Sequence, residues 1–120
     1  MASFDPEIMH ELRDRREVTI RTGKHTETAV VIWVVAQENE VFVRSVKGAK
    51  GRWYRDLAAG GPATLEFAGH RLTVQASPVG DAAAIERVSR EYLRKYQPSP
   101  YAPAMVKAEV LPTTLRLEPR

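Results

Sequence analysis

Ala29-Val30-Val31-Ile32-Trp33-Val34-Val35-Ala36 is the stretch on which the fold turns. It carries no charge, and β-branched residues dominate it around one tryptophan, the pattern of a strand buried on both faces. Gln37-Glu38-Asn39-Glu40 then closes a hairpin into Val41-Phe42-Val43-Arg44. Upstream, Val18-Thr19-Ile20-Arg21 alternates as a strand and Thr22-Gly23-Lys24-His25-Thr26 reads as a polar turn. Downstream, residues 64–67 and 72–76 alternate around the tight turn Ala68-Gly69-His70, and residues 113–117 form a final strand.

The helices have their own signatures. Asp5-Pro6-Glu7 places an N-cap, a first-turn proline and a first-turn acid, which predicts a short helix over 6–15. Asp81 can cap an amphipathic helix over about 81–97 whose apolar stripe is Ile85, Val88, Tyr92 and Tyr96. Residues 53–59 read as a short helix ending at Gly60-Gly61. Six strands and an amphipathic helix over an open end define a mainly β, α+β class protein. The expected architecture is one small six-stranded β-barrel domain spanning 1–120.

Composition excludes several chemistries. At 120 residues and 13.5 kDa the chain is one domain long. It has no cysteine, which removes disulfides, cysteine zinc sites, iron–sulfur clusters and thiol catalysis. The longest apolar run is that of residues 29–36, far short of the roughly 20 residues of a membrane helix. The first residues show neither a basic nor an apolar leader region, so a cytoplasmic location is expected. His10, His25 and His70 fall in three different elements with no carboxylate cluster beside them, and no metal site is expected. No Gly-x-Ser-x-Gly elbow is present. Asp81, Glu86 and Glu91 alternate with Arg87, Arg90 and Arg94 as surface pairs of the long helix.

One segment stands apart. Residues 44–55 hold Arg44, Lys47, Lys50, Arg52 and Arg55 and no acid, more positive charge than the whole protein's net +3. Gly48 and Gly51 allow backbone to approach an anion. Ser45 offers a hydroxyl, and Lys47, Lys50 and Arg52 offer charge-assisted donors to phosphate. Trp53 and Tyr54 offer flat surfaces against which an aromatic ring could stack. Phosphate donors beside an aromatic platform suit a nucleotide or flavin-type ligand; the alternative is a solvated loop with basic residues on its rim. Trp33 is expected in the core and Trp53 half against the barrel rim, half facing a ligand.

The order of these motifs resembles a known superfamily. Arg21-Thr-Gly-Lys24, Ile32-Trp33-Val34, Val41-Phe-Val43-Arg44-Ser45 and Lys47-Gly48 through Arg52-Trp53-Tyr54-Arg55-Asp56-Leu57 are similar to the flavin and deazaflavin oxidoreductases of split-barrel fold. The helix ending Lys95-Tyr96 and the closing Thr114-Leu115-Arg116-Leu117-Glu118-Pro119 continue the likeness. It lies nearest to an uncharacterised sister family of the deazaflavin-dependent nitroreductases, and covers about residues 17–119. The resemblance implies a six-stranded split β-barrel of the FMN-binding, pyridoxamine-phosphate-oxidase-like type. It also implies a homodimer binding FMN or a deazaflavin. Lys24, Arg44, Ser45, Lys47, Gly48, Lys50, Arg52, Trp53 and Tyr54 would then hold the cofactor. Gly23-Lys24-His25-Thr26 departs from the Gly-Arg-Lys-Ser/Thr-Gly run usual in the nitroreductases.

These observations support an oxidoreductase of unassigned substrate, with Tyr96 and Tyr101 as candidate proton donors. Two alternatives stand beside it: a non-catalytic carrier or sensor of a flavin, haem or related cofactor, and a nucleic-acid module built on the basic loop.

Overall fold

Side-chain alternation carries the chain into six strands: β1 (Glu17–Thr22), β2 (His25–Gln37), β3 (Glu40–Val43), β4 (Gly61–Phe67), β5 (His70–Pro78) and β6 (Leu115–Pro119). They are seen in a computed structural model that describes residues 3–23 and 25–120. Every pairing is antiparallel, in the order β1-β2-β3-β6-β5-β4, and β4 returns to β1 to close the barrel. Register is set by the apolar face: Ile20 pairs with Val30 on one side and with Leu65 on the other, and Val41 pairs with Leu117.

Three helices join the strands among the described residues: α1 (Pro6–Asp14), α2 (Arg52–Leu57) and α3 (Ala82–Lys95). The Asp81 carboxylate accepts from the Ala84 N–H at 3.1 Å, as its capping role requires, whereas the Asp5 side chain makes no cap bond. Tight 3-10 turns occupy Gly48–Lys50, Ala102–Val106 and Leu111–Thr113. No helix among the described residues is long and apolar enough to cross a membrane.

The barrel wall separates two apolar cores. The inner core takes Ile20, Ile32, Val34, Val41, Leu65, Val74, Leu115 and Leu117 from the strands, Met9 and Leu12 from α1, and Trp53 and Leu57 from α2. The outer core lies under α3, where Val88, Tyr92 and Tyr96 cover Val35 and Phe42 together with Ala102 and Met105. Burial on both faces, expected for all of residues 29–36, therefore holds only where α3 covers the strand. The first half of β2 begins four residues earlier, at His25, and leaves Val31 61% exposed. Trp33 is half-buried rather than core, stacked on the Tyr96 ring with centroids 4.2 Å apart.

The end of α3 is fastened by polar groups. Lys95 Nζ donates to the carbonyls of Leu12 (2.9 Å) and Val34 (2.8 Å), tying α1 to β2. The Tyr96 hydroxyl sits between the carbonyls of Arg16 and Val34 and accepts from the Val34 N–H at 3.1 Å. Burial pushes the Lys95 ammonium down to about 8, against the opposing pull of Glu91. The unfolded chain keeps this proton up to the ordinary lysine value of about 10.5. Between these values the unfolded state binds more protons, so the group's contribution to stability rises with pH there and is lost as pH falls through about 8. Urea denaturation at pH 7.5, 9 and 10 should therefore show wild type gaining stability relative to Lys95→Met, the comparison cancelling the tyrosines common to both.

Candidate functional site

A cavity of about 770 Å³ opens beside the uncovered half of β2. Its apolar wall includes Ile20 of β1, Val30, Val31 and Ile32 of β2, and Val46 and Met105 from the connecting segments. The basic loop runs along it and contributes Lys47, Lys50, Gly51 and Arg52.

The structure divides the expected ligand residues into two groups. Lys47, Lys50 and Arg52 are exposed in the cavity wall, and among the described residues none of them has a hydrogen bond or ion pair. Trp53 also lines the cavity but is only 8% exposed, with Tyr54 edge-on to it at 6.5 Å. The half-facing position expected for Trp53 is thus corrected: α2 turns its indole into the inner core. Tyr54 lies outside the cavity wall, its hydroxyl directed to the Pro112 carbonyl at 3.4 Å. Lys24 falls outside the described residues.

Arg44, Ser45 and Gly48 serve the frame instead of an open anion site. Arg44 is 1% exposed. Its Nε donates to Thr114 Oγ1 (2.8 Å), one terminal nitrogen to Ser89 Oγ (2.9 Å) and the Met105 carbonyl (3.1 Å), and the other to the Ile85 carbonyl (2.8 Å). Four of the five N–H groups of a guanidinium are so engaged. The group also lies over the Tyr92 ring at 5.5 Å, and burial holds it below the ordinary arginine value. Arg44 and Ser45 thus line the cavity with most of their hydrogen-bonding capacity already taken up by the protein. The Ser45 hydroxyl donates to the Gly48 carbonyl at 2.8 Å, and the Ser45 N–H donates to Thr113 Oγ1 at 3.0 Å. The N–H groups of Gly48 and Gly51 are consumed within the loop, by the Ser45 and Gly48 carbonyls. Gly48 has φ +66°, and a Cβ there would lie 3.2 Å from the Glu109 carbonyl oxygen.

Sequence reasoning missed a polar cluster in the same wall. His25, the first residue of β2, places Nδ1 2.6 Å from Asp56 Oδ2, and Thr22 Oγ1 donates to that same oxygen at 2.6 Å. The His25 side chain is 38% exposed and that of Asp56 10%. Asp56 follows Arg52 by four positions on α2, so both share one helix face, a spacing visible in the sequence. Nothing local signals that His25 meets it, because barrel closure brings them together. Neither tyrosine considered as a proton donor improves on this cluster. Tyr96 is committed to backbone and held above the ordinary tyrosine range by burial, and Tyr101 is 73% exposed at the cavity edge.

The family model described as "Uncharacterized protein conserved in bacteria (DUF2255)" matches residues 9–117, and the chain belongs to that family. No curated protein sequence matches it. Its fold is shared with HutZ, the heme storage protein from Vibrio cholerae, at TM-score 0.59 and 14% identity over 98% of this chain and 91% of that one. The FAD and heme binding protein from Mycobacterium smegmatis gives 0.58 and 16% over 97% of this chain and 65% of that one. A conserved hypothetical protein from Mycobacterium tuberculosis gives 0.66 and 15% over 99% and 82%. The chain is a split barrel, as the order of its motifs implied.

Loop rigidity can be tested directly. A Cβ on Gly51 would lie 2.4 Å from Ser45 Oγ. Gly51→Ala should cost about 1–3 kcal/mol as an overpacked contact. In a Ser45→Ala background the same change should cost clearly less, a coupling that urea denaturation of the four proteins measures.

Proposed function

We propose that this protein holds a flavin-type cofactor, FMN or a deazaflavin, in the cavity beside β2 and works as an oxidoreductase. The observation that carries the reading is the trio Lys47, Lys50 and Arg52, three exposed cations that have no anionic partner among the described residues and lie along the edge of an apolar cavity. They suit a phosphate or another anionic tail, while the apolar wall of Val30, Val31 and Ile32 suits a planar ring. The flavin, when bound, supplies hydride chemistry, and the chain's part is to orient the ring and exclude water. That split-barrel neighbours are described as binding heme or FAD supports the reading. Burial of Trp53 weighs against the nucleic-acid alternative, which needs it as an open stacking platform.

The proposal includes a homodimer. Val31 (61% exposed), Val46 (56%) and Tyr101 (73%) cluster around the cavity mouth, an apolar rim that a second copy would cover. Light scattering at micromolar concentration should give twice 13.5 kDa; a monomer would overturn this part.

Titration of the purified protein with FMN and with a deazaflavin, followed by absorbance and flavin fluorescence, tests the assignment. Saturable binding is expected. Lys47→Ala and Arg52→Ala should each weaken it about tenfold or more, since a hydrogen bond to a charged group contributes roughly 1.5–3 kcal/mol. Thermal stability should barely change, because both side chains are exposed. The absence of saturable binding to either compound would overturn the reading.

A further inference from the structure

The cavity contains a polar constellation that flavin binding itself does not require. We infer that His25, oriented by Asp56 and Thr22, is the proton-transferring residue of this site, an inference that rests on the flavin reading above. His25 comes from the start of β2, Thr22 from the end of β1 and Asp56 from α2. All three line the cavity. A carboxylate only accepts, so Asp56 Oδ2 takes the Nδ1–H of the imidazole at 2.6 Å and the Thr22 hydroxyl at 2.6 Å. Fixing hydrogen on Nδ1 selects the tautomer and leaves Nε2 to exchange a proton. Among the described residues Nε2 has no protein partner. Imidazole is the side chain whose unperturbed titration lies nearest neutrality. With 38% of the side chain exposed, solvent can restore the proton after transfer.

Such a group serves a two-electron acceptor that takes up a proton on oxygen, for which a quinone is the simplest probe. A reduced flavin held at the cavity edge by Lys47, Lys50 and Arg52 would supply the hydride, leaving the proton to come from the protein. His25 gives the proton on Nε2 to the acceptor oxygen; the O–H bond forms as the N–H bond breaks, and neutral imidazole remains. One hydride and one proton convert a quinone to its hydroquinone. Asp56 acts only through the His25 ring that it holds, and is a positioning residue.

The test uses wild-type protein carrying FMN, reduced with dithionite under anaerobic conditions. Stopped-flow absorbance then follows reoxidation by a naphthoquinone, which takes up protons, and by ferricyanide, which takes electrons alone. His25→Gln should slow the naphthoquinone reaction about 100-fold, within the usual range of general acid catalysis. The ferricyanide rate should stay within about twofold. Asp56→Asn should produce the same selective slowing to a smaller degree, about tenfold. Should His25→Gln fail to retain FMN, the solvent deuterium isotope effect on wild type decides. A clear effect with the quinone and none with ferricyanide supports the inference, and equal effects overturn it. Equal rates in wild type and a loaded His25→Gln protein, or equal slowing with both acceptors, also overturn it while leaving flavin binding intact. Failure of wild type to bind FMN or a deazaflavin would instead remove the flavin reading, and this inference with it.

Discussion

The buried guanidinium of Arg44 is the constraint around which the cavity side of the molecule is arranged. A cation at 1% exposure has lost its water and must be compensated by protein dipoles. Here the four acceptors are neutral, two carbonyls and two hydroxyls, and they come from α3, the Ala102–Val106 turn and the residue preceding β6. Arg44 itself directly follows β3. One side chain thereby fixes four segments whose mutual placement backbone pairing alone leaves open. Shifting any of them would strand a buried charge or a buried carbonyl, each costing about 1–3 kcal/mol or more.

The frame and the cavity-facing groups are distinct layers of one loop. Ser45, Gly48 and Gly51 spend their hydrogen-bonding groups on each other and on Thr113, so the loop's path is settled without a ligand. Lys47, Lys50 and Arg52 project from that settled path, and among the described residues nothing pairs with their charges. Such a division leaves the cavity edge pre-formed at the backbone and adaptable only at the ends of long side chains, an arrangement that would lower the entropic cost of taking up a ligand.

Most of the barrel was legible in the sequence because strand alternation and hairpin turns are local signals. All six strands, the amphipathic helix and its Asp81 cap follow from pattern. What was misread depended on long-range coverage. Arg44 sits in a run of cations and looks solvent-facing, yet α3 and the Ala102–Val106 turn bury it. Trp33 lies in the most apolar run and looks like core, but the outer face of β2 is only partly covered. Trp53 sits in the most basic run and looks peripheral, but a short helix rotates it inward. The rim lysines were found because exposed charge without acids is visible in composition. The contact between His25 and Asp56 was invisible, since it spans β2 and α2 and is created by tertiary folding.

Ring closure imposes an order of events on the nascent chain. The hairpins β1–β2 and β4–β5 join neighbours in sequence, but β6 is the strand that fills the gap between β3 and β5. Until residues 115–119 have been synthesised, two edges of unpaired amide and carbonyl groups face each other across an open seam, free to recruit strands from other chains. The same short segment delivers Leu115 and Leu117 to the inner core and is preceded by the threonine that anchors Arg44. Closure, core completion and burial of the guanidinium are therefore one late step.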